Sequence, residues 1–152
     1  MKKILLVCTG NTCRSSMAEA LLKRLLEERT DHLKDIFVSS AGTYAVEGDR
    51  ASSHAIIVME ERGLSLEEHR SSPLSQDLLE EADLVLTMTI GHKRAILQVV
   101  PYMEDKVYTL KEYIGDNSLD ITDPYGQSLE IYRKCSDEIY QCLSKLLDKL
   151  EK

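Results

Sequence analysis

Residues 3–22 read KILLVCTGNTCRSSMAEALL. The apolar run at its start predicts a buried strand over Lys3–Val7. Residues 8–15 are polar and read as a loop; they hold two cysteines, a glycine, an asparagine and an arginine. Ser16-Met17-Ala18-Glu19 has the capping-box pattern, with Ser16 at the N-cap and Glu19 at N3. Behind it Ala18, Leu21, Leu22, Leu25 and Leu26 recur at helical spacing, which predicts an amphipathic helix to about Arg29. The opening unit is therefore strand, loop, helix.

The rest of the chain repeats that alternation. Short strands are expected over Ile36–Ser40, Asp83–Met88 and Lys106–Leu110. Helices are expected over Ser52–Arg62, stopping at Gly63, then over Gln76–Ala82, His92–Val100 and Leu129–Leu150. The last carries an apolar stripe of Tyr132, Cys135, Ile139, Cys142, Leu143, Leu146 and Leu150. Residues 64–73 and 115–128 read as irregular. Continuous apolar strands joined by helical crossovers imply an α/β fold, a four-stranded parallel sheet with helices on both faces. In such sheets ligands bind beyond the carboxyl ends of the strands. Cys8 lies at that end of the first strand, and Asp123 follows the fourth.

A length of 152 residues favours one domain, 1–152, with room for a real core. No secretory segment opens the chain and no apolar run spans a bilayer, so a cytoplasmic protein without a membrane partner is expected. The formal charge of −7 argues against a nucleic-acid partner, which needs a basic stripe. A monomer is expected. The four cysteines, Cys8, Cys13, Cys135 and Cys142, show no zinc spacing, so no metal site is expected. Cys135 and Cys142 read as small apolar residues of one helix face.

A loop that leaves a strand and enters a helix aims several backbone N–H groups at one point, beside the positive end of the helix dipole. That is an anion site. Gly10 is expected to supply backbone freedom. Arg14 adds a planar two-pronged donor matched to phosphate oxygens. A nucleotide-binding Walker loop is excluded, because the second glycine and the lysine are missing. The same surroundings favour the thiolate of Cys8, placed for in-line attack on phosphorus to give a cysteinyl phosphate. The Ser15 hydroxyl is placed to donate to that sulfur. Asp123, in Asp-Pro-Tyr-Gly, is the best candidate acid for the leaving group, with Asp120 a nearby rival. His54, His69 and His92 read as surface or structural residues, and a Cys-His hydrolase is poorly supported.

These residues bear a resemblance. CTGNTCRS at 8–15, SAGT at 40–43, ADLVLTMT at 82–89 and DPYG at 123–126 look like the low-molecular-weight protein tyrosine phosphatase family over nearly the whole chain. The resemblance implies a four-stranded parallel fold working without metal or cofactor. It implies Cys8 as nucleophile, Arg14 as the phosphate and transition-state clamp, and Asp123 as general acid and then base. It implies phosphate binding by the loop Thr9, Gly10, Asn11, Thr12, Cys13, Arg14 and Ser15, with Asn11 holding the loop shape and Ser15 donating to the thiolate. Ser16 stands where the family usually has proline.

Thr12 stands where tyrosine-directed members commonly carry isoleucine. That residue, FVSSAGT, LVLTMT followed by His92-Lys93, and VYTLKEY at 107–113 are similar to the protein-arginine phosphatases of Gram-positive bacteria. Tyr125 is followed by Gly126, where tyrosine members often show two adjacent aromatics. The expected partners are thus arginine-phosphorylated proteins, with tyrosine-phosphorylated proteins as the alternative and Thr12 and Tyr125 as the specificity residues. A stress-response role opposing an arginine kinase follows from the same resemblance. Cys13 is expected to trap an oxidised Cys8 as a reversible disulfide. A thiol-dependent arsenate reductase needs further redox cysteines that the chain does not place nearby. A catalytically dead phosphate-binding module is disfavoured because nucleophile, arginine and acid are all present.

Overall fold

The computed structural model describes residues 2–29, 33 and 35–151. Its elements follow the expected alternation. β1 is Lys3–Cys8, α1 Arg14–Glu27, β2 Phe37–Gly42, α2 Ser53–Glu61, α3 Gln76–Glu81 and β3 Leu84–Thr87. Then come α4 at Ile90–Val99, a 3-10 helix at Pro101–Lys106, β4 at Val107–Thr109, α5 at Leu110–Tyr113 and α6 at Leu129–Leu150. All strand pairs are parallel, in the order β2-β1-β3-β4.

Both faces of the sheet are covered, and β1 shows why its sequence is apolar without a break. Ile4, Leu6 and Cys8 face a core shared with α1, α2 and α6. Leu5 and Val7 face the other side, against Leu79 of α3, Ile96 of α4 and Met103 of the 3-10 helix. A strand buried on both sides needs apolar residues at successive positions. The order also fixes the ligand-binding end. The chain runs from β1 outward to β2, then returns to place β3 on the other side of β1. The crevice opens where those two directions part, at the carboxyl end of β1. There Cys8 pairs with Gly42 in register and Val7 with Thr87.

Several boundaries shift by one or two residues, the 3-10 helix and α5 were not expected, and three of the differences have a clear local reason. The capping box at Ser16 and Glu19 does not form. The helix starts three residues earlier, at Arg14, with Cys13 rather than Ser16 as an N-cap that makes no side-chain cap. Ser16 Oγ bonds back to the Cys13 carbonyl at 2.8 Å. Glu19 instead accepts from Ser40 of β2 and from Lys23. α4 starts at Ile90 rather than His92, because Thr89 is its cap and accepts the His92 N–H. The fourth strand ends at Thr109, which caps α5 in a true capping box with Glu112. α6 matches its expected span, and Tyr132, Cys135, Ile139, Cys142, Leu143 and Leu146 of its stripe are buried. Among the described residues no helix is long and apolar enough to cross a membrane.

Candidate active site

The loop between β1 and α1 is held in shape by Asn11. Its backbone is left-handed, with φ 60°. Asparagine tolerates that region far better than other non-glycine residues. Gly10, expected to supply the backbone freedom, does not have a positive φ. The buried Asn11 amide donates to Ser15 Oγ at 2.8 Å and to Ser40 Oγ at 2.9 Å. Its oxygen accepts the Ser72 N–H at 2.9 Å. Its backbone carbonyl accepts from Nε2 of His69 at 2.7 Å. One side chain thus ties the loop to α1, to β2 and to the segment after residue 70.

Gly42 makes this packing possible. A Cβ there would stand 2.3 Å from the Thr9 carbonyl and 3.0 Å from the Asn11 nitrogen. The loop rests directly on the end of β2, with the Thr43 N–H on the Cys8 carbonyl and the Tyr44 N–H on that of Thr9, both at 2.9 Å.

Within this frame the backbone N–H groups of residues 10–14 donate to no other group among the described residues. The missing cap on α1 leaves its first N–H groups unspent in the same way. Cys8 Sγ lies 2.9 Å from Ser15 Oγ. Arg14 is 4% exposed. Its Nη1 donates to the Ile121 carbonyl at 2.9 Å, and Nη2 lies 3.5 Å from the Asp123 carboxylate. Its Nε is buried without a partner. A buried guanidinium nitrogen without an acceptor, beside unspent amides, is a site prepared for an anion.

The loop carrying Asp123 is pinned at three points. The Ile121 N–H bonds the Met88 carbonyl at 2.8 Å. Cys135 Sγ donates to the Thr122 carbonyl at 3.7 Å. Asp120 accepts the Ile90 N–H at 2.7 Å, at the start of α4. Asp120 is therefore occupied in the frame, while Asp123 is half exposed and turned toward Arg14. Asp123 Oδ1 also accepts the Tyr125 N–H at 3.1 Å, a short Asx turn across Pro124. A cleft of about 220 Å³ is lined by Cys8, Thr9, Gly10, Thr12, Cys13, Arg14, Asp123 and Tyr125.

Sequence reasoning passed over several supports of this site. His92 is buried and contacts Thr9. Cys13 Sγ lies 3.3 Å from the Tyr132 hydroxyl and donates to Ser52 Oγ at 3.5 Å, and the Ser52 N–H holds the Thr12 carbonyl at 2.9 Å. His54 packs edge-on against Tyr132. Cys8 and Cys13 are both free thiols. Burial pushes the Cys135 thiol up to about 12, so it stays a protonated donor in the core. None of these pairings lies at a helical or strand spacing, so only the three-dimensional fold brings them together.

Residues 3–152 match the family of low molecular weight phosphotyrosine protein phosphatases. The chain belongs to this family. That membership makes it a cysteine-dependent phosphatase. It is 44% identical to a protein-arginine-phosphatase of Bacillus subtilis, over 98% of this chain and 97% of that one. It is 36% identical to the low molecular weight protein-tyrosine-phosphatase PtpB of Staphylococcus epidermidis, over 98% and 99% of the two chains. The YwlE arginine phosphatase structure from Geobacillus stearothermophilus superposes with a TM-score of 0.90 at 42% identity, covering 99% of this chain and 94% of that one.

Proposed function

We propose that this phosphatase hydrolyses phosphoarginine on proteins, with Cys8 as nucleophile, Arg14 as the phosphate clamp and Asp123 as general acid and base. The observation that carries the reading is the cleft itself, which the polar Thr12 and the half-exposed Asp123 line together with Cys8 and Arg14. The identity to protein-arginine phosphatases supports the same substrate.

The phosphoryl group sits on the N–H groups of the loop formed by Thr9, Gly10, Asn11, Thr12, Cys13, Arg14 and Ser15, with Arg14 supplying two charged donors. The Cys8 thiolate attacks phosphorus and the phosphorus–nitrogen bond breaks as Asp123 gives its proton to the departing guanidine nitrogen. Asp123, now a carboxylate, takes a proton from water as the water oxygen attacks phosphorus. The phosphorus–sulfur bond breaks, which returns the thiolate and releases phosphate. Ser15 donates to the sulfur whenever it is anionic. Thr12 offers a hydroxyl to a donor-rich guanidinium where an aliphatic wall would leave it unpaired. Tyr125 flanks the slender arginine side chain at the mouth.

The protein acts as a cytoplasmic monomer on arginine-phosphorylated proteins in a stress response, without metal, cofactor, nucleic acid or membrane. The test is phosphate release from a phosphoarginine-bearing protein and from a phosphotyrosine peptide, side by side. Preference for the first supports the reading, and preference for the second replaces it with the tyrosine-directed alternative.

Cys8 and Cys13 form a redox pair. Peroxide converts the Cys8 thiolate to a sulfenic acid, and the Cys13 thiol displaces water from it to form a disulfide. Peroxide-treated enzyme is expected to lose activity and regain it with dithiothreitol, and Cys13→Ser to lose it irreversibly. Mass spectrometry that finds no Cys8–Cys13 linkage would refute this pairing.

A further inference from the structure

Thr9 is the first residue of the loop and lines the cleft. Its Oγ1 lies 2.8 Å from Nε2 of His92. His92 stands in the first turn of α4 and is only 7% exposed. Its other ring nitrogen, Nδ1, lies 3.0 Å from Oγ1 of Thr89. The same Thr89 oxygen accepts the His92 backbone N–H at 3.2 Å as the cap of α4. Burial first, then the charge of Arg14, lowers the pKa of the ring to about 4, against the smaller opposing pull of Asp120 and Asp123. The imidazole is therefore neutral under ordinary conditions.

A neutral imidazole has one donor nitrogen and one acceptor nitrogen. The Thr89 oxygen already accepts the helix N–H, and Nδ1 stands within reach of its one proton. An accepting Nδ1 leaves the ring proton on Nε2. Nε2–H then donates to Thr9 Oγ1. The Thr9 proton is thereby kept off His92 and is left for the cleft that the residue lines.

We propose that the Thr9 hydroxyl is a further hydrogen-bond donor to the phosphoryl group, and that His92 and Thr89 are positioning residues that hold it in that role. The loop amides and Arg14 grip the phosphoryl group from the α1 side, and Thr9 adds a side-chain donor backed by α4. The proposal rests on reading the cleft as a phosphate site. It does not depend on whether the phosphate arrives on arginine or tyrosine.

Inhibition by inorganic phosphate, a product in either case, provides the test. Thr9→Val removes the hydroxyl at nearly constant shape from a side chain outside the core. It is expected to raise the Ki of phosphate about tenfold, the loss of one hydrogen bond to a charged group. His92→Phe is expected to raise it several-fold in the wild-type background and not at all in Thr9→Val, since it acts through Thr9. Nitrogen-15 NMR of the wild type is expected to show neutral His92 with its proton on Nε2. An unchanged Ki in Thr9→Val, equal effects of His92→Phe in both backgrounds, or a proton on Nδ1 would overturn the proposal. If His92→Phe does not fold, Thr9→Val and the wild-type NMR decide it alone. Absence of phosphate inhibition in the wild type would instead strike the phosphate-site reading beneath it.

Discussion

Asp120 and Asp123 are the same residue type three positions apart, and the fold gives them different work. Asp120 accepts the Ile90 N–H at the start of α4, whereas Asp123 turns toward Arg14 at the cleft. Asp123→Asn is expected to slow phosphate transfer from poor leaving groups roughly 10²–10⁴-fold, with a much smaller effect on good ones. Asp120→Ala is expected to cost about 1 kcal/mol of stability, as the loss of a helix-start acceptor does, with turnover little changed. Burst and steady-state kinetics with substrates of graded leaving-group quality, beside urea titrations, separate the two. Equal losses on both substrate types in Asp123→Asn would move the acid elsewhere. That Cys8, Arg14 and Asp123 meet at one cleft was legible in the sequence, from residue type and position after a strand. Asn11 as holder of the loop followed only from resemblance. The hydrogen bonds by which it does so, to Ser40 and Ser72, join residues 29 and 61 positions away and leave no local pattern.

At the scale of elements, the loop depends on what stands behind it. β2 ends in Gly42 because the Thr9 carbonyl occupies the space of a side chain. Gly42→Ala is expected to destabilise the protein by about 1–3 kcal/mol through overpacking and to weaken phosphate inhibition as the loop is pushed outward. A wild-type melting temperature with unchanged inhibition would contradict that packing. The capping boxes show how far local patterns reach. Ser16-Met17-Ala18-Glu19 and Thr109-Leu110-Lys111-Glu112 carry the same signature, and only the second forms. In α1 the helix begins before Ser16, whose hydroxyl bonds the Cys13 carbonyl while Glu19 is drawn to Ser40 and Lys23, so tertiary contacts override the local pattern there. The α6 stripe had no such competitor, and its span was readable from its periodicity alone.

For the whole molecule, the sheet order brings the carboxyl end of β1, the start of α4 and the Asp123 loop to one crevice, and this shows in its response to pH. The His92 pKa falls from its ordinary 6.5 to about 4 on folding, first by burial and then by Arg14. The unfolded chain binds that proton more readily, so stability is undiminished above the ordinary value and is lost as the pH falls toward the folded one. The loss is expected to reach up to about 3 kcal/mol across that window and to be largely absent in His92→Phe. Asp83, whose carboxylate is held low by the Lys2 and Lys3 N–H groups, acts in the same direction but below its ordinary 3.8, so the two windows separate. Urea titrations through the mildly acidic range check this, and an identical slope in wild type and variant would contradict it. The parallel sheet and the two-faced core were legible from alternating apolar segments, though not the strand order. The meeting of His92 with Thr9 was not, because it depends on how α4 packs beside β1.

Selection of phosphoarginine by this cleft, with Thr12 setting the choice, is the core of the proposed function. The direct measurement is kcat/KM for phosphate release from a phosphoarginine-bearing protein and from a phosphotyrosine peptide, in wild type and in Thr12→Ile. Wild type is expected to favour phosphoarginine by about tenfold or more, and Thr12→Ile to reverse that preference. A wild-type preference for phosphotyrosine, or a preference untouched by Thr12→Ile, would contradict the account.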